Sequence, residues 1–308
     1  MFQGLAVEKT EGFTGGLNTS PNYFSLKPGQ SPNCVNVKFG LHGVLEKRYG
    51  SITLNGISIA NSAATGFVPD ANATLATNLQ AYWKLNEQGG NRFDTFGTSD
   101  LTDTNTVGSG SGKLGLAATF TSTAVEYLTV PDNATLSMGD IDFAMAAWFN
   151  VSSFPGVGTT LPILSKGDGS SNPGMEYFFY VGSHRQLVFH VGNNTAFLNV
   201  SANVVLSVGT WYLGTAQHNA AANSIAVRIN TNAVVARNYT GGSYNSGQPF
   251  LIGGLAPTAS ESFDGLIDEV GIWKKVLADQ EVIDLYGTAG GGNTYSREAS
   301  SAGFGAFD

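Results

Sequence analysis

Side chains capable of acid–base or metal chemistry are sparse in this 308-residue chain and stand at no catalytic spacing. Asp140 and Asp142 lie two residues apart, which on a strand would place both carboxylates on one face. Such a pair could begin an acid–base site, but no third acid follows at the spacing of a hydrolase strand. His184, His190 and His218 lack metal-site spacing such as H-E-x-x-H, and no Walker or Rossmann glycine loop occurs. These residues predict no enzyme.

The elements that would carry these side chains are predicted to be strands. The chain is 42% hydrophobic and contains 40 glycines, while strong helix formers are sparse outside residues 274–286. This composition favours an all-β fold with many tight turns. The net charge of −8 argues against nonspecific nucleic-acid binding, which needs a basic face. Cys34 is the only cysteine, so an internal disulfide is excluded.

Residues 262–286 predict the strand and helix that close the main domain. The apolar positions that follow a period close to two are Phe263, Leu266, Val270 and Ile272. The apolar spacing then becomes helical, with Asp279 as the predicted N-cap. A helix placed there would pack across an open side of a sheet.

The pattern F-D-G-x-I-D-E-V-x-I-W-x-x-x-L in this stretch resembles the final strand of laminin-G-like domains. Those domains belong to the concanavalin A-like lectin/glucanase superfamily. The resemblance extends over about 80–286, and its matching segments are 81–87, 143–149, 164–167, 187–191, 224–230 and 250–254. It implies an all-β, two-sheet antiparallel jelly-roll sandwich, and the alternation along the strands agrees. The four tryptophans fall at positions that the family fills with core aromatics.

The resemblance also suggests a carbohydrate-binding surface. Residues 177–180 are four consecutive aromatics, and on a strand two of them must face away from the core. We take Tyr177 and Phe179 as the carbohydrate-binding candidates, because exposed aromatic rings serve as stacking platforms in glycan-binding sandwiches. A subunit interface would explain an exposed aromatic pair equally well.

Metal binding and catalysis are further points on which the family is informative. Concanavalin A-like domains often carry a structural Ca²⁺ held by oxygen ligands, and Asp94, Asp264 and Asp268 stand at positions resembling those that contribute. Asp264 precedes Gly265, so it could instead shape a turn. Glucanases of the superfamily place their acids in an E-x-D-x-x-E strand motif, which this sequence lacks.

The N-terminal segment carries a second resemblance. The motif G-G-L-N, a following L-x-P-G-Q and the later G-V-L-x-K-R-x-G look like the N-terminal segment of bacteriophage tail and head-proximal virion proteins. The residues expected to serve assembly are Gly15, Gly16, Leu17, Asn18, Leu26, Pro28, Lys47 and Arg48. Residues 35–39 and 44–49 also predict a β-hairpin, to which 52–57 adds a third strand.

These observations predict four segments: an attachment arm over 1–60, a linker over 61–79, the laminin-G-like domain over 80–286 and a Gly-rich tail over 287–308. Phe304 and Phe307 in the tail are further assembly candidates. The N-terminus lacks the pattern of a signal peptide and no apolar run approaches a membrane span. We therefore expect a protein made in the host cytoplasm and carried on the virion.

The function predicted from the sequence is that of a non-enzymatic bacteriophage structural protein, either a capsid decoration (cement) protein or a tail or collar component. Its expected partners are capsid, connector or tail subunits and further copies of itself, with no nucleic acid and no membrane insertion. The main alternative is a receptor-binding adhesin that recognises a host-surface glycan. A degenerate glycosidase is a weaker alternative.

Overall fold

A computed structural model of the chain describes residues 73–169, 174–256 and 261–287, together with the backbone of four short strands nearer the N-terminus. The chain divides into two compact units. The four short strands belong to the first unit, and the longer described ranges belong to the second.

The first unit contains two separate hairpins. β1 (Val37–Phe39) pairs antiparallel with β2 (Leu45–Lys47), which confirms the predicted hairpin. β3 (Ile52–Leu54) pairs with β4 (Ile57–Ile59) in its own two-stranded sheet, so the prediction of a third strand on the first hairpin is wrong. The paired Leu54 and Ile57 are separated by Asn-Gly, the dipeptide that most favours a two-residue hairpin turn.

The residues predicted to serve assembly lie almost entirely outside the described residues. Those outside are Gly15, Gly16, Leu17, Asn18, Leu26, Pro28, Arg48, Phe304 and Phe307, and Cys34 is outside as well. Lys47 lies on β2, where only the backbone is described.

The larger of the two main sheets, sheet 1, has eight strands. They are β5 (Leu79–Trp83), β7 (Gly108–Ser111), β8 (Leu116–Phe120), β10 (Phe143–Val151), β15 (Trp211–Asn219), β16 (Ser224–Ile229), β17 (Val235–Asn238) and β19 (Gly265–Trp273). Their order is β17-β16-β15-β10-β19-β8-β7, and β5 also pairs with β19. The closing strand of the sequence is therefore central in its sheet.

Sheet 2 has seven strands. They are β6 (Thr102–Thr104), β9 (Tyr127–Val130), β11 (Thr160–Gly167), β12 (Met175–Gly182), β13 (Leu187–Gly192), β14 (Phe197–Ser201) and β18 (Phe250–Ile252). Their order is β14-β13-β12-β11-β18-β9-β6, and every pairing in both sheets is antiparallel. The two sheets form the predicted all-β sandwich.

The main core lies between the sheets and is rich in aromatic rings. Trp83 of sheet 1 stacks on Phe250 of sheet 2, with ring centroids 5.3 Å apart. Trp83, Trp148 and Trp273 are buried as predicted, whereas Trp211 is half-buried. Aromatic side chains of this size bury large areas, so they dominate the packing of the sandwich.

Two short helices cover the outer face of sheet 1. They are α1 (Ala73–Ala76) and α2 (Asp279–Tyr286). Trp148 stacks on Tyr286 of α2 at 5.5 Å, and the indole N–H of Trp273 donates to the carbonyl of Leu75 at 2.7 Å. The outer apolar residues of sheet 1 are thereby buried in a second cluster with Leu75 and Leu285.

The start of α2 corrects the predicted N-cap. Asp279 is the first residue of α2, and the N-cap is Ala278. The Glu281 carboxylate, three residues after the N-cap, accepts the backbone N–H of Ala278 at 2.9 Å. Glu281, and not Asp279, is therefore the acidic residue that pairs with a free backbone N–H at the start of α2. α1 falls within the stretch 61–79 predicted as a linker, but buried Leu75 packs it onto sheet 1. Among the described residues no helix has the length and hydropathy needed to cross a bilayer.

The close approach of β19 to β10 explains why the residue after Asp264 is a glycine. The φ of Gly265 is +142°, and a Cβ there would lie 2.1 Å from the carbonyl oxygen of Asn150 on β10. Only glycine allows the two strands to approach this closely.

Candidate functional site

The side chains of Tyr177 and Phe179, the predicted carbohydrate-binding pair, point from β12 into the core. Tyr177 and Phe179 are both 0% exposed. The Tyr177 hydroxyl donates to the carbonyl of Leu136 at 2.9 Å, and the Phe179 ring meets Phe189 edge-on. Burial, followed by the nearby charges of Glu176 and Asp132, raises the pKa of Tyr177 well above its ordinary value. The prediction that these two rings form a platform is therefore wrong.

The other two aromatics of β12 face outward from sheet 2. Phe178 and Tyr180 stack with ring centroids 4.2 Å apart. Phe178 is paired in register with His190 of β13, which in turn stacks on Phe197 of β14 at 5.2 Å. We call Phe178, Tyr180, His190 and Phe197 the aromatic strip. Its middle is buried, while Tyr180 is half-buried and Phe197 is 42% exposed.

A cleft of about 330 Å³ opens at one end of the sandwich, and we call it the polar cleft. It is formed by the turn before β9, the β10–β11 connection, the start of β11 and the residues before β19. Its lining residues are Ser122, Val125, Ser153, Phe154, Pro155, Gly156, Thr159, Thr160, Leu161, Glu261 and Ser262. Hydroxyl groups, one carboxylate and one aromatic ring therefore share this concavity.

Glu261 is held in place by the first residue of β11. Its Oε2 atom accepts the backbone N–H of Thr160 at 2.9 Å and also the Thr160 hydroxyl. The backbone carbonyl of Glu261 accepts the N–H of Leu255 at 2.9 Å. Burial, followed by the negative charge of Glu261, raises the pKa of Tyr180 to about 12. The negative charge of Glu261 is therefore felt at the Tyr180 end of the aromatic strip.

Ser262, the next residue, presents an unsatisfied hydroxyl. The residue is 6% exposed, and among the described residues no atom accepts from or donates to its Oγ. A buried hydroxyl without a partner costs free energy of folding. Outside the lining, the guanidinium of Arg185 lies 5.0 Å from the centroid of the Phe154 ring.

Asp94, the first of the three predicted calcium ligands, is used by its own loop. Its carboxylate accepts four backbone N–H groups, those of Tyr82, Phe96, Gly97 and Ser99. Burial raises its pKa, and the N–H groups of Gly97, Ser99 and Phe96 oppose that rise. This carboxylate shapes the turn after β5.

The other two predicted ligands are also engaged. Asp264 accepts the Ser153 hydroxyl, and its carbonyl accepts the N–H of Ser152, so it fixes the turn after β10. Asp268 is 0% exposed and accepts the N–H of Leu114 at 3.0 Å. Among the described residues no three His, Cys, Asp or Glu side chains form a group that could hold a metal ion. The three aspartates therefore do not fit the predicted calcium site.

Asp140 and Asp142 do not form a catalytic pair. Asp142 accepts the backbone N–H of Ala220 at 2.9 Å, and Asp140 lies 3.9 Å from the Nε2 of His218. Asp142 therefore holds the turn after β15, whereas Asp140 is largely exposed beside His218 of that strand.

Sequence reasoning missed Glu261, Ser262 and Thr160. Their signal was available, because hydroxyl residues cluster in 152–160 and Glu261-Ser262 directly precedes the closing strand. The strand order decides which loops meet at one end of the sandwich. The positions of these residues along the sequence do not reveal that order.

A family model described as the concanavalin A-like lectin/glucanases superfamily matches residues 122–283. No curated protein matches the sequence. Among solved structures, the binding domain of Paraclostridial Mosquitocidal Protein 1 is similar, with a TM-score of 0.55 and 15% identity over 68% of this chain and 52% of that one.

Two neurotoxin structures are similar to a comparable degree. The botulinum neurotoxin serotype G binding domain gives a TM-score of 0.53 at 13% identity, over 68% of this chain and 50% of that one. The botulinum neurotoxin DC binding domain in complex with SialylT gives 0.51 at 12% identity, over 68% and 51%. The chain spans about half the length of these structures, and at such identities the similarity concerns the fold alone.

Proposed function

Because the chain belongs to the concanavalin A-like lectin/glucanases superfamily, we propose that its sandwich is a carbohydrate-binding domain and that the polar cleft is its binding site. The observation that carries this proposal is the lining of the cleft, where the Glu261 carboxylate, several serine and threonine residues and Phe154 lie around one concavity. Carboxylates and hydroxyls match the hydroxyl groups of a sugar, and an aromatic ring matches its apolar face. A volume of about 330 Å³ lies at the lower end of small-ligand pockets, about 300–1,000 Å³.

We propose binding without hydrolysis. Carboxylate-dependent glycosidases place two carboxyl groups on either side of the scissile bond. Among the described residues that line the cleft, Glu261 is the only carboxylate. The nearby Asp264 is held by Ser153 and does not line the cleft.

Glycan-array binding with the full-length chain tests this function. Glu261→Gln keeps the size of the side chain but removes its charge, and Asp279→Asn, a carboxylate 84% exposed on α2, is the matched control. Loss of a charge-assisted hydrogen bond should weaken binding by about tenfold or more in the Glu261 variant and leave the control unchanged. Binding that is the same in all three proteins would place the site elsewhere, and release of reducing ends would indicate a glycosidase.

We propose further that the domain is displayed on a bacteriophage particle as a virion structural protein or tail adhesin. The support is the G-G-L-N and G-V-L-x-K-R-x-G motifs of the N-terminal segment, which resemble those of virion proteins. In this proposal residues 1–60 attach to other virion subunits, and copies of the sandwich project outward toward a host-surface glycan.

Locating the chain in a map of the native particle tests the virion proposal. We expect residues 1–60 to run between other subunits while the sandwich faces solvent. Copy number would separate a decoration protein, which follows the capsid lattice, from a tail adhesin, present in fewer copies. A free monomer whose arm contacts only its own sandwich would contradict the proposal.

A further inference from the structure

The charges at the polar cleft restrict the kind of sugar that it can accept. Among the described residues that line it, Glu261 is the only ionisable group. A second carboxylate, Asp264, touches the lining through the Ser153 hydroxyl. The guanidinium of Arg185 lies outside the lining, against the ring of Phe154. An occupant of the cleft therefore meets a negative charge directly.

Glu261 also retains the capacity to accept hydrogen bonds. A carboxylate offers about four acceptor positions, and Thr160 uses two of them, both at Oε2. The other oxygen, Oε1, accepts no hydrogen bond from the part of the chain that the structure describes. This oxygen suits a donor such as a sugar hydroxyl or an ammonium group and repels a second carboxylate.

We propose that the polar cleft selects an uncharged or amine-bearing sugar ring and rejects carboxylated sugars such as uronic and sialic acids. This inference rests on the proposed carbohydrate-binding function. A like charge at contact distance near a protein surface should weaken binding by about tenfold or more.

Three matched ligands test the selection: the methyl glycosides of galactose, galactosamine and galacturonic acid. Dissociation constants are measured by NMR titration of the full-length chain below neutral pH, where the amine is protonated. We expect the amine and neutral sugars to bind at least about tenfold more tightly than the uronate. Rising salt concentration should narrow that difference, because salt screens charges at the cleft mouth.

The Glu261→Gln variant separates charge from shape. We expect it to bind the uronate and the neutral sugar with affinities within about threefold of each other, whereas Asp279→Asn keeps the wild-type ratio. Equal binding of all three sugars by the wild type, or an unchanged ratio in Glu261→Gln, overturns the selection but leaves carbohydrate binding intact. Absence of binding to these sugars and to every glycan of a neutral and acidic array overturns both proposals.

Discussion

At the residue scale, two buried serines make a matched experiment. Ser165 is 0% exposed, and its hydroxyl donates to the carbonyl of Gly254 at 2.6 Å and accepts the N–H of Ala256 at 2.8 Å. Ser262 is also buried, but among the described residues its hydroxyl has no partner. The same chemical group is therefore hydrogen-bonded at one position and unsatisfied at the other.

We predict opposite outcomes for the two alanine variants. Ser165→Ala should lower the free energy of unfolding by about 1–3 kcal/mol, because two buried backbone groups lose their partner. Ser262→Ala should leave the free energy of unfolding unchanged or slightly higher, because it removes a buried hydroxyl that has no partner. Urea unfolding of both variants provides the measurement. A large loss of stability in Ser262→Ala would show that its hydroxyl is structural.

Asp268 should make stability depend on pH. Burial raises its pKa to about 7, against the smaller opposing effect of the N–H groups of Leu114, Lys113 and Glu269. Between the ordinary aspartate pKa, about 4, and 7 the folded chain holds this proton while the unfolded chain releases it, so rising pH destabilises the fold. The loss approaches about 1.4 kcal/mol per pH unit and ends above the folded pKa.

Asp268→Asn removes this titration. We expect the difference in unfolding free energy between wild type and variant to change steadily across that window and to level off above it. Urea unfolding at a series of pH values measures this difference, and subtraction cancels the contributions of other carboxylates. A difference that does not vary with pH would contradict the assignment.

At the element scale, most strands could be predicted because one face of each is buried. Segments 143–149, 187–191, 224–230 and 250–254 correspond closely to β10, β13, β16 and β18. The alternation of apolar side chains alone marks such strands.

The same alternation could not decide which face of an all-aromatic strand is buried. In β12 the two interleaved pairs of residues 177–180 are equally apolar, so the choice depends on the register with β13. The polar cleft could not be predicted either, because the strand order decides which loops lie together.

The buried ion pairs of Lys166 are another feature that local sequence motifs could not predict. Lys166 belongs to the segment 164–167 that matches the laminin-G-like pattern and lies within β11, where its Nζ is 2.8 Å from Glu176 and 2.7 Å from Asp132. A lysine that is 0% exposed with a carboxylate partner cannot be inferred from local spacing, because the partner is brought there by β12.

The helix α2 supplies the prediction at this scale. Leu285 is 0% exposed and packs on the outer face of sheet 1, whereas neighbouring Ile283 is half-buried. Leu285→Ala should lower the unfolding free energy by about 2–5 kcal/mol, and Ile283→Ala should cost clearly less. Thermal and urea unfolding of the two variants measure the contrast. Equal losses in the two variants would contradict the assignment of Leu285, and not Ile283, to the buried face of α2.

At the scale of the molecule, the division into two units predicts independent folding of the sandwich. The fragment Phe67–Arg297 is the second unit. We expect it to unfold cooperatively, within a few degrees of the corresponding transition of the full chain, and to bind sugar equally well. Calorimetry and NMR titration of the fragment provide the measurements, and loss of a cooperative transition would contradict this division. In the virion proposal the fragment should bind sugar but fail to join particles.

The central position of β19 also has a consequence for biosynthesis. Sheet 1 lacks its middle until Gly265–Trp273 pairs with β10 on one side and with β8 and β5 on the other. A ribosome delivers this strand after the rest of both sheets, so the earlier strands must wait with unpaired edges, which are prone to aggregation. Translation that stops before residue 273 leaves a chain without the strand that joins the two parts of sheet 1. A folded sandwich in the cell is therefore a sign that synthesis has passed that point.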